Sequence, residues 1–373
     1  MSGDASDPIW DMVPVGTPGP AVFDPAAHAV VQSGHTVLWD VPMSLKDLEV
    51  EAGGTLRIAT GASLALYGSA QVNGTLAGDP GGELVLVGDG PVSVVSTAPL
   101  DLWHLTVDVP GGAFADADLA VRGTLQLTTG DLTAWGSVTL VSDADGTGRL
   151  GPVGDEADLV GALTVQRYIP AGGTNWRLLG SPVAGRTVAD WMDDFYTAGF
   201  PGSHWPEFYD TWNGAYAPGA QYWPSVRQFM EQAQTETIAD GLIGVESQNT
   251  PLATGIGFAA WCGDTITGTG AFTVDVTGTP HIARTPLALP VSWTPQTPAA
   301  PALQGWNLLS NPLPSPVAFG QMDRGADVAN GYYVYDPATG NNAYWDAELG
   351  LSVPEQALDG TIHSSQGFWV KAD

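Results

Sequence analysis

Along residues 45–140 apolar and polar side chains alternate in runs of three to five residues, and glycines or acidic turns separate the runs. They include Thr55-Leu56-Arg57-Ile58, Ser63-Leu64-Ala65-Leu66, Glu83-Leu84-Val85-Leu86, Leu105-Thr106-Val107, Thr124-Leu125-Gln126-Leu127 and Val138-Thr139-Leu140. Alternation with a period of two predicts short strands with one buried face. The runs are themselves periodic: Leu56 and Leu76, Leu64 and Leu84, Leu66 and Leu86, Leu105 and Leu125, and Val107 and Leu127 each lie 20 residues apart. Short strands at that fixed spacing predict a β-solenoid whose coils stack leucine on leucine. About five coils fit, with glycines at the corners, where a positive φ would strain other residues. A β-sandwich of short strands is the competing reading, since it also brings frequent turns.

Beyond the solenoid a phrase recurs. Trp176-Arg177-Leu178-Leu179-Gly180-Ser181-Pro182 is answered by Trp306-Asn307-Leu308-Leu309-Ser310-Asn311-Pro312. Each is followed by a Tyr/Trp/Asn/Gly-rich stretch, from Tyr209 to Tyr216 and from Tyr335 to Trp345, and each half closes on a Gly-Phe pair, Gly257-Phe258 and Gly367-Phe368. Three landmarks in one order predict two copies of one β-unit. Trp-x-Leu-Leu reads as a strand that the proline ends, because proline donates nothing to a ladder. Pairing of that strand with the Gly-Phe strand is expected to put Trp176 near Phe258, and Trp306 near Phe368, on one shared face.

The remaining stretches set the boundaries. Residues 1–44 are rich in Pro, Gly and Asp and read as an irregular cap; 45–163 are the solenoid; 164–373 hold the half-repeats, about 170–263 and 303–373, joined by a Pro/Thr-rich linker. Val188–Tyr196 and Val226–Ala239 look helical, the second with Val226, Phe229, Met230 and Ala233 on one face. It has no counterpart in the second copy and accounts for that copy's shorter length. The expected fold class is all-β: a short right-handed β-solenoid followed by a tandem-repeat, β-sandwich-like domain.

Composition narrows the partners. With 40 acidic and 11 basic residues the formal net charge is −29, which excludes nucleic acid and anionic membranes as electrostatic partners. The acidic, lysine-poor surface also suits high-salt water. No run of 18 apolar residues occurs, so no membrane insertion is expected. Cys262 is the single cysteine, so no internal disulfide forms and packing must supply stability. Met1-Ser2-Gly3-Asp4 lacks the basic and apolar regions of a signal peptide, so either the chain is intracellular or its leader has been removed, and removal is the expectation.

Candidate chemistry is sparse. The six histidines have no metal-ligand spacing, and there is no Gly-x-Ser-x-Gly elbow or phosphate loop. Cys262 ends an apolar strand and reads as a buried structural thiol. Asp193-Asp194 is the best carboxylate pair for glycan chemistry, but adjacent side chains diverge, and a solvated turn is the preferred reading. No catalytic residues are assigned and no enzyme is expected. Asp143-Ala144-Asp145-Gly146 resembles the start of a calcium loop, yet Gly154 stands where the closing carboxylate belongs. A solvated Asp-Gly turn ending the solenoid is the preferred reading, with Asp143 and Asp145 the candidates should calcium bind, and no cofactor is otherwise expected. Trp205, Tyr209, Trp212, Tyr216, Tyr222 and Trp223 fall within twenty residues between Gly and Pro turns. Exposed rings stack on sugar rings, so these six are the candidates for binding a surface glycan.

Together these motifs resemble a family of bacterial surface and secreted proteins exported by the type IX secretion route. In these a Gly-rich β-helical segment leads into a phrase like Leu163-Thr164-Val165-Gln166-Arg167-Tyr168-Ile169. A phrase like Trp176 to Pro182 follows, then a second like Gly305 to Pro312, and a close like Ser365-Gln366-Gly367-Phe368-Trp369-Val370-Lys371-Ala372. The resemblance covers about residues 45–373 and brings no catalytic residues. Further domains usually follow in such proteins, ending in a C-terminal sorting domain, which this chain does not contain. The resemblance implies an extracellular structural or adhesive module, a stalk or surface piece of a larger secreted protein, with a surface glycan or another extracellular protein as partner. A carbohydrate-binding module is the alternative, and a glycan-active β-helix enzyme the third reading.

Overall fold

The computed structural model describes residues 3–4, 25–172, 175–208, 222–262, 270–295 and 301–373. Strands dominate, and the only helical elements among the described residues are 3-10 turns. The chain divides into two compact units, 1–166 and 167–373.

The first unit is a β-solenoid with three parallel sheets. One of them stacks seven strands, from His28–Val31 to Leu159–Val160, so the unit makes about seven coils. The sequence period is the ladder register: Leu64 pairs with Leu84, Leu66 with Leu86, Leu105 with Leu125 and Leu56 with Leu76. All of these leucines are buried, because a period of two sends alternate side chains inward on every coil. Between coils, acidic side chains fasten the next turn. The Asp118 carboxylate accepts from the Ser137 backbone N–H at 2.7 Å and from its hydroxyl at 2.8 Å, and Asp47 accepts from Ser69 in the same way.

Two expectations need correction. The segment read as an irregular cap already carries the first coil: His28–Val31 pairs with Asp47–Val50, and Thr36–Trp39 with Thr55–Ile58. Here the register step is 19 residues rather than 20, and Trp39 takes the place that Ile58 fills one coil later, so the leucine spacing did not reveal it. Second, the coils number about seven rather than five, because strands at His28–Val31 and at Arg149–Val153 and Leu159–Val160 extend the ladders at both ends. Between the last coils Ser142–Asp143 and Gly146–Thr147 form a small antiparallel hairpin that lengthens the step.

The second unit contains the β-unit twice. In the first half a four-stranded antiparallel sheet runs Asn175–Leu179, Phe258–Cys262, Val226–Phe229, Leu242–Gly244. In the second half a five-stranded sheet runs Trp306–Ser310, Gly367–Lys371, Gly331–Asp336, Asn341–Asp346, Leu351–Val353. The registers coincide: Leu179 lies opposite Phe258 and Trp176 opposite Trp261, as Leu309 lies opposite Phe368 and Trp306 opposite Lys371. Before each closing strand the chain turns through a positive φ, +75° at Gly255 and +60° at Ser365, three residues ahead of each Phe.

Three finer expectations fail. Each Trp is not near its own Phe on one face: they are offset by three residues along the paired strands, and an odd offset in a strand puts them on opposite faces. Trp176 packs on Trp261 and Trp223 at 5.4 and 5.5 Å, while Phe258 meets Trp191 on the other side at 5.7 Å. Likewise Trp306 packs on Tyr333 at 5.2 Å and Phe368 on Phe319 at 6.4 Å. Neither helix-like stretch is an α-helix. Val188–Trp191 is a 3-10 turn, and Val226–Ala239 is a strand followed by 3-10 turns, with Val226 buried in the sheet and Met230 exposed. Nor is that stretch an insertion without a partner: the hairpin of Val226–Phe229 with Leu242–Gly244 holds the sheet position of Gly331–Asp336 with Asn341–Asp346. The stretch Tyr209–Tyr216, aligned by sequence with this hairpin, lies outside the described residues.

The halves face one another. Leu178 and Ala259 of the first share a core with Leu308 and Trp369 of the second. The contacts are reciprocal: the Gly180 N–H donates to the Ser365 carbonyl at 3.0 Å, and the Ser310 N–H donates to the Gly255 carbonyl at 2.9 Å.

Candidate functional site

In the first half-repeat the chain after the 3-10 turn Val188–Trp191 doubles back through Gly199-Phe200-Pro201-Gly202, with positive φ at both glycines. The doubling is fixed by backbone bonds, from the Trp205 N–H to the Thr197 carbonyl at 3.2 Å and from the Gly199 N–H to the Trp205 carbonyl at 2.9 Å. It brings three rings together. Tyr196 stands 5.0 Å from Trp205 and 5.3 Å from His204. The Thr197 N–H donates to His204 Nδ1 at 3.1 Å, which leaves Nε2 as the ring's other polar atom. Tyr196 and Trp205 are 45% and 40% exposed, so the pair stands open to solvent, whereas Phe208 packs on Trp223 at 6.0 Å.

Of the six rings expected from sequence, Trp205 belongs to this group, and Tyr222 is half exposed. Trp223 stands apart: it packs on Trp176 and Trp261, with the Arg227 guanidinium 5.4 Å from its centre, and serves the interior. Tyr209, Trp212 and Tyr216 lie outside the described residues. Sequence reasoning missed Tyr196 and His204. The Gly-Phe-Pro-Gly turn that folds Tyr196 onto Trp205 was the available signal. A ring face beside a phenol hydroxyl, an imidazole and an indole N–H combines stacking with hydrogen bonding, the two contacts a sugar ring accepts.

The other candidates settle differently. Asp143 has both oxygens engaged, one by the Arg122 guanidinium and one by the Asp145 backbone N–H at 2.9 Å, so the Asp-Gly loop is a closed hairpin turn. Asp143 and Asp145 line a cavity of about 250 Å³ together with Arg57, Asp79, Trp103 and Arg122. Among the described residues no three His, Cys, Asp or Glu side chains come together as metal ligands. Asp193 and Asp194 do diverge. Asp193 is exposed and lines an open cleft of about 460 Å³ with Asp190 and Asp275, whereas Asp194 turns inward and accepts the Asp275 N–H at 2.7 Å. Burial first, then the nearby Asp275 and Asp193 charges, push Asp194 up to about 7. Cys262 is buried, and that burial pushes its thiol up to about 12, which keeps it protonated at neutral pH.

No protein-family model, curated protein or solved structure matches this chain.

Proposed function

We propose that this chain is an adhesive module of a larger secreted bacterial protein, exported by the type IX route. In this reading the leucine-filled solenoid is a stiff support and the second unit makes the contact. The observation that carries it is the open pair of rings Tyr196 and Trp205, 5.0 Å apart with His204 beside them, on a chain whose −29 charge repels anionic partners. The order of solenoid, Trp-Arg-Leu-Leu phrase and Gly-Phe-Trp-Val close supports the secreted setting by resemblance.

The contact is read as a neutral surface glycan, stacked on Trp205 and Tyr196. That second reading, carbohydrate recognition, is favoured by the polar atoms of Tyr196 and His204 around the rings. A glycan array probed with the full chain tests it. Neutral glycans should be retained, and a variant carrying Tyr196→Ala and Trp205→Ala should lose at least tenfold in affinity, equivalent to about 1.4 kcal/mol. An array with no neutral glycan retained, or a variant that binds like the parent, overturns the carbohydrate reading.

A further inference from the structure

One edge of the solenoid has uneven corners. Where the sheet containing Thr55–Ile58 passes to the sheet containing Ser63–Leu66, every coil turns a corner, and these corners stack in one column. Two early corners have four residues each, 59–62 and 79–82. The next is Trp103 alone, between Leu100–Leu102 and His104–Asp108, and Arg122-Gly123 follows. The last widens to 141–148 and carries the hairpin of Ser142–Asp143 with Gly146–Thr147. Two short corners between two long ones leave a notch, which is the cavity of about 250 Å³. Asp79 and Pro80 line one side of it, Asp143 and Asp145 the other, with Trp103 and Arg122 between them.

Ion pairs fix the walls. Arg57, from the preceding coil, holds Oδ1 of Asp79, while Arg122 takes both oxygens of Asp101, at 2.7 and 3.2 Å, and one of Asp143. Both guanidiniums are thus engaged by carboxylates of this chain. What remains for a ligand is Oδ2 of Asp79, the half-buried Trp103, and the Asp145 carboxylate, which has no partner among the described residues. The lining holds two positive and three negative side chains on a chain of −29, so an anion is repelled. Acceptors on two walls with an indole between them suit a group with hydroxyls at its edge and C–H bonds on its face. We propose that this notch binds one neutral pyranose residue, its face against Trp103 and its hydroxyls donating to Asp79 and Asp145. The cavity is smaller than the ~300–1,000 Å³ of pockets for drug-sized ligands, so it takes a single ring and leaves the rest of a glycan outside. This site does not depend on Tyr196 and Trp205, and it gives the solenoid a contact of its own.

Fluorine NMR on the full chain labelled with fluorotryptophan reads the notch directly. The chain has 14 tryptophans, and the Trp103 line is the one missing from Trp103→Phe. The neutral probes are methyl β-glucoside, methyl β-galactoside and methyl α-mannoside. At least one of them should move the Trp103 line saturably, with a Kd of roughly 1–10 mM for so small a ligand. Sodium glucuronate, an anionic sugar of the same size, should move it less. Asp145→Ala removes a side chain with no partner among the described residues, so it should keep the parent's melting temperature. It should bind the same glycoside roughly fivefold more weakly or worse. A Trp103 line that no neutral glycoside moves overturns the proposal. So does glucuronate binding as tightly as the neutral sugars, or an Asp145→Ala variant that binds like the parent. Because Trp103 lies in the solenoid, none of these outcomes bears on the ring pair of Tyr196 and Trp205.

Discussion

Gly180 meets Ser310 where the two half-repeats join, and each is the residue that follows its own Trp-x-Leu-Leu. A Cβ placed on Gly180 runs into the Ser310 side chain. Equivalent residues of two copies touch each other only at a two-fold axis, so this contact marks a pseudo-two-fold between the halves. Glycine on one side and serine on the other fill the axis once, where two larger residues would collide.

The same symmetry predicts matched damage. A Cβ on Gly257 would lie 2.9 Å from Leu308 Cγ, and one on Gly367 would lie 2.8 Å from the Leu178 backbone. Gly257→Ala and Gly367→Ala should each destabilise the second unit, by ~1–3 kcal/mol as for other overpacked sites. Chemical denaturation of each variant checks this, and a neutral effect at either glycine would break the symmetry of the contacts.

Leu84 is 1% exposed and stacked between Leu64 and Leu105. Leu84→Ala should cost ~2–5 kcal/mol, the usual range for a buried leucine. The loss should appear in the solenoid transition, and a change below ~0.5 kcal/mol would mean that the leucine stack is not the core.

Asp194 makes stability depend on pH. Its carboxyl titrates about 7 in the folded state against an ordinary value of 3.8, because burial disfavours its charge. Below about 4 both states are protonated and there is no effect; between about 4 and 7 only the unfolded chain ionises, so stability falls as pH rises. Above about 7 the penalty is constant. Asp194→Asn keeps a carbonyl for the Asp275 N–H and should stabilise by ~1–2 kcal/mol at pH 8, discounted for the group's part exposure, and by little at pH 4. Paired melts at the two pH values check it; an equal effect at both would remove the carboxyl as the cause.

Charge also acts over the whole chain. With 40 acidic against 11 basic residues, screening should raise the melting temperature between roughly 0.01 and 1 M NaCl, over which the Debye length falls from about 30 to 3 Å. A flat or falling calorimetric curve would contradict the high-salt reading of the surface.

The solenoid was legible because in a parallel coil the sequence period is the ladder register, and leucines at 64, 84, 105 and 125 record it. The duplication was legible because the phrases at Trp176 and Trp306 each carry a strand, its pairing and its end. What escaped is what tertiary contact decides. Val226, Phe229, Met230 and Ala233 have helical spacing, but Val226 gains more by pairing beside Ala260 in a buried sheet. The hairpins at Val226 and Gly331 share a position with almost no shared residues, so only the sheet reveals their kinship. The aromatic pair was half legible: Trp205 stands in the dense aromatic run, while Tyr196 joins it through a turn.

Hydrogen exchange at two amides tests the central relationship, one β-unit used twice and turned to face itself. The Gly180 N–H is held by Ser365 and the Ser310 N–H by Gly255, in the same place in each half. Both amides should exchange only when the second unit unfolds as a whole, and so show the same opening free energy. If either exchanges as freely as a loop amide while the other stays protected, the halves are not joined as a two-fold pair.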